Sequence, residues 1–405
     1  MRILLMTEAS SAGVGRHVLD LAEGLLQGGY RVHLIYSGLR IDRTFSERLS
    51  ALSEMAQSRL DMRRAPHVSD LSAIRRTRAY LRRQGPFDVI HAHSSKAGLI
   101  ARLSAVGNDG AVVYTPHCPY TMNPTLGPLA YRLGRTIERT LSGRTDTIIA
   151  VSPDERDHLI EIGIRAELVK CIPNGVDFSS WGDKGEARRR LGLPRHGVGL
   201  GFIGRLSEQK DPVMLLRAFA RLAAEREDVY LAMVGTGPLE TEARGVANDL
   251  GIDHRVFWLG YRTAREVMPA FDMLVMPSRY EAMPYVLLEA LSAGLPIVST
   301  RVGGAALTID HGSNGYLIDS RAPESLADAL RPLIESPSLR ERFSEASRRA
   351  SFRFTVSEMV EQTHALYCRL TQQSHAMSIS EELVPLPMHG GEAHVSLTET
   401  ISVES

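Results

Sequence analysis

The chain has 405 residues, 43% of them apolar and 23% charged, with a formal net charge of zero. That length exceeds one ordinary core, so two domains are expected, and the balanced charge argues against a nucleic-acid binder. Three widely spaced cysteines, Cys118, Cys171 and Cys368, form neither a disulfide framework nor a zinc spacing; they point to a reduced, cytoplasmic setting. Residues 1–184 carry 24 Lys/Arg against 19 Asp/Glu, while residues 371–405 carry five acids and no Lys or Arg. The basic surplus would suit the anionic inner face of a membrane or a phosphate-bearing acceptor, although a solvated Arg-rich surface is the favoured reading. The opening apolar run, Met1–Met6, is too short for a signal peptide, and no run of ~18 apolar residues predicts a membrane span.

Ile3–Met6 reads as a buried strand. A loop of small residues, Glu8–Gly15, leads into a helix whose apolar positions are Val18, Leu19, Leu21, Ala22, Leu25 and Leu26. Val32–Tyr36 is the next strand, so the unit opens a doubly wound sheet. The loop is no dinucleotide fingerprint, because Gly13-x-Gly15 lacks the third glycine. Gly13 does let a ligand approach the backbone closely. Residues 71–83 predict an Arg-rich amphipathic helix, read as a solvated face ahead of a membrane-lying one. Asp88–His93 is a strand ending in His91 and His93, a pair at metal-ligand spacing without an evident third ligand. Val112–His117 is another strand running into a loop, and Thr147–Ser152 a further one. Cys171-Ile172-Pro173-Asn174-Gly175-Val176-Asp177 closes the first domain.

Residues 178–196 read as a charged linker. Val198–Ile203 is the first strand of the second domain, followed by Gly204-Arg205-Leu206-Ser207-Glu208-Gln209-Lys210-Asp211 and a helix opened by Pro212. Two cations beside a helix N-terminus suit a pyrophosphate: guanidinium donors, a point-charge ammonium and the dipole act together. The Gly-Lys-Ser/Thr ending of a P-loop is missing. Val229–Val234 ends at the turn Gly235–Pro238, and Val256–Leu259 leads to Gly260-Tyr261-Arg262. Met273–Met276 then runs into Pro277-Ser278-Arg279-Tyr280-Glu281-Ala282-Met283-Pro284-Tyr285 and a helix ending near Gly294. Pro284 suits the first helical position, leaving the N–H groups of Tyr285 and Val286 as an anion seat. Glu289 follows Glu281 by about two helical turns. Two carboxylates beside an anion seat need neutral partners, and sugar hydroxyls fit. Pro296–Thr300 and Asn314–Ile318 are the last strands. Helices follow to about residue 350, then an amphipathic helix over 352–370; residues 371–405 show no helical period and are expected to be disordered.

The Glu-x7-Glu spacing of Glu281 and Glu289, together with the Arg205/Lys210 loop and the Ile172–Asp177 phrase, resembles retaining glycosyltransferases of family 4. Those enzymes have the GT-B fold, in which two Rossmann-like α/β domains face a cleft. The resemblance covers about residues 1–370. It implies an N-terminal acceptor-side domain over 1–185, a donor domain over 186–352, and a helix over 353–370 returning to the first domain. It also implies site roles. Glu281 would hold the donor sugar and Glu289 the ribose, while Arg205 and Lys210 grip the diphosphate. Gly13 stands in a loop that usually carries a Gly-Gly pair, here Ala12-Gly13, against the donor phosphates. His117 would face the sugar. Gly204 and Gly235 belong to phosphate-side turns, and the backbone after Gly260 would hold the nucleobase, covered by Tyr261 or Arg262. Ala282, Met283, Tyr285 and Val286 complete the donor side. An acid common three residues after Gly303-Gly304 is replaced by Leu307.

The implied activity is metal-independent, cofactor-free transfer from a nucleotide sugar, by family frequency a UDP-sugar, to a glycan or lipid-linked acceptor in surface or exopolysaccharide synthesis. A nucleotide-sugar epimerase and a non-catalytic glycosyltransferase-like subunit are the alternatives.

Overall fold

The computed structural model describes residues 1–177 and 180–382. The first sheet contains β1 (Arg2–Thr7), β2 (Arg31–Tyr36), β3 (Ala56–Arg59), β4 (Val89–His93), β5 (Ala111–Thr115), β6 (Thr147–Ala150) and β7 (Val169–Cys171). Their order is β3-β2-β1-β4-β5-β6-β7 and every pairing is parallel. The second sheet contains β8 (Val198–Ile203), β9 (Val229–Val234), β10 (Val256–Gly260), β11 (Met273–Met276), β12 (Ile297–Thr300) and β13 (Gly315–Ile318). It too is wholly parallel, ordered β10-β9-β8-β11-β12-β13. The doubly wound two-sheet α/β expectation therefore holds. The cause is visible in β1: Ile3, Leu4, Leu5 and Met6 are all fully buried, as a strand covered by helices on both faces requires.

In each sheet the winding reverses beside the first strand, between β1 and β4 and between β8 and β11. Loops leaving the carboxyl ends of the strands at such a switch point diverge and open a crevice. The segments singled out in the sequence leave from these ends. Gly13 follows β1, His93 ends β4, His117 follows β5, Gly204–Lys210 follows β8, and Glu281 follows β11.

The chain passes between the sheets twice, and the two passages touch. Val176 N donates to Phe354 O at 2.9 Å, and Val176 bridges Thr355. Gly175 is required there, since a Cβ would stand 2.2 Å from Thr355 O. The last helix, Val356–Glu382, then lies along the first, Ala12–Gln27. Gly24 makes the approach possible: a Cβ on it would be 2.7 Å from the Val360 methyls. Tyr30 and His364 bond at 2.6 Å across this contact. The helix runs twelve residues past the expected end at Leu370, so the segment just beyond residue 370 is helical, contrary to the reading of residues 371–405 as without helix period. Ser and Gln are acceptable helix formers once a docked helix propagates through them. The remainder of that segment, from residue 383, lies outside the described residues.

Candidate functional site

Of the acids and cations singled out in the second domain, Lys210 and Glu281 meet. Lys210 Nζ stands 2.5 Å from Glu281 Oε1, both side chains largely buried. The sequence assigns Lys210 to a diphosphate and Glu281 to sugar; in the structure each neutralises the other. Gln209 Nε2 supports the same acid, donating to Tyr280 O at 3.0 Å and Glu281 Oε2 at 3.4 Å. Arg205 stands exposed in the same loop. Gly204 packs on the Lys210 stem, where a Cβ would lie 3.3 Å from Cδ. Gly235 has φ +125° and lies over Gly204, whose carbonyl a Cβ would meet at 2.0 Å; only glycine fits.

Glu289 reaches across to the other domain. Arg16 Nη1 lies 2.5 Å from Glu289 Oε1, and the guanidinium sits 5.0 Å from the Tyr285 ring centre. Burial raises the Glu289 carboxyl, and Arg16 partly offsets it. For Arg16 burial acts downward, but Glu289 and Asp20 carry the guanidinium above its ordinary range. Gly13 completes this contact: a Cβ there would stand 3.0 Å from the Tyr285 ring. Tyr285 and Val286 are buried, and the Tyr285 hydroxyl has no partner among the described residues. The helix begins at Tyr285 rather than Pro284, which has extended angles (φ −74°, ψ 128°) and serves as its cap. Ala282 and Met283 are buried, and Met283 O accepts from Asn174 Nδ2 at 2.9 Å. Tyr261 and Arg262 stay exposed at the rim, Arg262 donating to Tyr261 O at 2.9 Å.

His117 sits in a strained loop. It and Cys118 both have positive φ, +52° and +74°, unusual for consecutive non-glycine residues. Buried Glu155 holds the loop: Cys118 N donates to its Oε1 and Val151 N to its Oε2, both at 2.7 Å. The neighbouring Asp154 reaches the second domain, accepting from Gly304 N at 3.0 Å. His117 Nε2 is 3.1 Å from His93 Nδ1. His17, from the first helix, packs its ring 4.5 Å from that of His117. The expected pairing of His91 with His93 is thus not the cluster: His93 gathers with His117 and with His17, over seventy positions earlier in the chain. His91 itself is engaged at both nitrogens, with Tyr367 at 2.5 Å and Thr115 at 2.7 Å.

Arg16, His17, Asp154 and Glu155 were missed in the sequence. The available signal was a charged pair, Arg16-His17, on the entry turn of an apolar helix, and two acids in the first turn of another. No helix among the described residues is long and apolar enough to cross a membrane.

Comparison with known proteins fits this geometry. Residues 183–350 match the model for glycosyl transferases group 1, and residues 11–180 that for glycosyltransferase family 4. The D-inositol 3-phosphate glycosyltransferase of Corynebacterium jeikeium is 31% identical over 319 residues, 73% of this chain and 76% of that protein. A UDP-Gal:alpha-D-GlcNAc-diphosphoundecaprenol alpha-1,3-galactosyltransferase of Escherichia coli is 28% identical over 255 residues, 60% of this chain and 65% of that one. Among solved structures, Anabaena Alr3699/HepE in complex with UDP superposes with a TM-score of 0.77 at 24% identity, covering 91% of this chain and 100% of that one. The chain belongs to the group 1 glycosyltransferases of family 4.

Proposed function

We propose that the protein transfers a sugar from a UDP-sugar to a hydroxyl of a glycan or lipid-linked acceptor, with retention of anomeric configuration and without a divalent metal. The observation that carries this reading is the Lys210–Glu281 pair at the carboxyl ends of β8 and β11. A diphosphate entering there takes over Lys210, and Glu281, released, accepts hydrogen bonds from sugar hydroxyls. Ribose hydroxyls take Glu289 in place of Arg16. The bond between the anomeric carbon and the diphosphate oxygen breaks, and its electron pair stays on the diphosphate. Lys210, Arg205 and the dipole of the helix Pro212–Glu225 stabilise that charge. The acceptor oxygen attacks from the same face and its proton passes to the departing phosphate. His117, held by Glu155, contacts the sugar from the opposite domain, and Gly13 leaves room for the donor. The E. coli relative, named for a UDP-sugar and a lipid-linked acceptor, supports both partner classes.

A peripheral membrane position and a role in surface or exopolysaccharide synthesis belong to the same reading. The helix Pro128–Ser142 exposes Leu129, Leu133 and Ile137, spaced four apart on one face, beside exposed Arg132 and Arg139. Its one acid, Glu138, is buried against Arg102. An apolar stripe bordered by arginine suits an anionic lipid surface.

The test is a nucleotide-sugar panel. One UDP-sugar should raise the melting temperature and, with a polyprenyl-diphosphate glycan, yield a product whose new linkage keeps the donor's anomeric configuration in chelator. Inverted product, or donor conversion without acceptor, rejects the reading.

A further inference from the structure

We propose that His17, His93 and His117 form a binding site for a borderline divalent cation of the zinc class. One nitrogen from each imidazole lies within 4.8 Å of the other two, and His93 Nδ1 and His117 Nε2 are already 3.1 Å apart. A tetrahedral zinc with bonds of about 2.0–2.1 Å sets its ligand nitrogens about 3.3 Å apart, so small side-chain rotations close the site.

The protonation pattern is also that of a ligand set. Asn174 Nδ2 donates to Met283 O, which fixes the amide and turns Oδ1 to His17 Nδ1 at 3.0 Å. Nδ1 of His17 must therefore carry the proton, which leaves Nε2 as the nitrogen with a lone pair. This is the outer hydrogen bond that orients metal-binding histidines elsewhere. His93 is fully buried, and with Nδ1 turned to His117 its Nε2 stands without a partner among the described residues, so no outer hydrogen bond fixes which of its nitrogens takes an ion. An imidazole ligates an ion only as the neutral ring, so all three side chains are uncharged in the bound site. His91 is excluded, since both its nitrogens are engaged. Half-buried His117 is the side from which an ion enters.

Three neutral imidazoles without a carboxylate favour Zn²⁺, Co²⁺, Ni²⁺ or Cu²⁺ over Mg²⁺ or Ca²⁺. Their neutrality leaves the ion's charge uncompensated, so a hydroxide or a phosphate oxygen completes the coordination. An ion there withdraws His117 from the cleft and inhibits transfer. That consequence rests on the sugar-facing role of His117 proposed above; binding itself does not.

Cobalt titrated into chelator-stripped full-length protein is the test. We expect one equivalent to give tetrahedral visible bands that zinc abolishes, and zinc but not magnesium to raise the melting temperature. H17Q and H93Q should weaken cobalt binding at least about 100-fold, whereas H91Q and C118A retain it. Melting without metal shows whether each variant folds, and the wild-type titration decides the matter even if one does not. Absence of cobalt bands in the wild type, binding that survives both H17Q and H93Q, or binding lost with Cys118→Ala instead, overturns the site. Binding without loss of transfer overturns only the inhibitory consequence and leaves the cation site in place.

Discussion

Glu155 has both carboxylate oxygens on backbone donors, yet burial outweighs these bonds and pushes its pKa up to about 7. An unfolded glutamate titrates near 4.5. Between these values the folded protein holds one proton more than the unfolded chain. The group's stabilisation is therefore complete below pH 4.5 and is lost as pH rises through about 7, at up to ~1.4 kcal/mol per pH unit. Urea unfolding of wild type and E155Q at pH 5 and pH 8 should show the wild-type advantage shrinking at the higher pH. Parallel curves would remove Glu155 from the account. At Lys210 the expectation is kinetic. Lys210→Ala should lower kcat by about 10²–10³-fold, the range for removing a donor aimed at developing negative charge, while circular dichroism stays native. Wild-type turnover by that variant would end the assignment of the diphosphate to this loop.

Among the elements, the central strands were legible because parallel strands buried on both faces read as unbroken apolar runs. The edge strand β3, Ala-Gln-Ser-Arg, carries mostly exposed polar residues and has no such signature. The helix Ser69–Gln84 matched its Arg-rich pattern, while the final helix, docked on the first at Gly24 and Val360, runs past its apolar period. Gly24→Val tests that packing. Its side chain would overlap Val360, and the variant should lose about 1–3 kcal/mol in denaturant titration. Glu281 and Glu289 stood out in the sequence because they share one short segment. Their partners did not: Arg16 and Glu289 are 273 positions apart, and no local pattern couples them. On the helix Pro128–Ser142, replacing Leu129 and Leu133 by Glu should abolish flotation with anionic vesicles and leave transfer to a soluble acceptor intact.

Across the whole molecule, side chains of the first domain reach the second. Arg16–Glu289 is an ion pair between the domains, and Asp154–Gly304 a further tie. Partly exposed pairs weaken in salt. Arg16→Ala should therefore enlarge the radius of gyration of the nucleotide-free protein in small-angle scattering, and UDP should shrink it again. Equal radii for wild type and variant would mean that Arg16 does not hold the cleft.

The two passages of chain between the sheets, joined at Val176 and Phe354, bear on how such an opening can occur. Two strands pinned at one point leave the lobes a pivot instead of a free tether. They can rock about that pivot, yet neither can drift away, even with one of the two connections severed. A protein nicked between residues 177 and 184 should accordingly elute as a single particle in native chromatography and fall into two pieces only in denaturant.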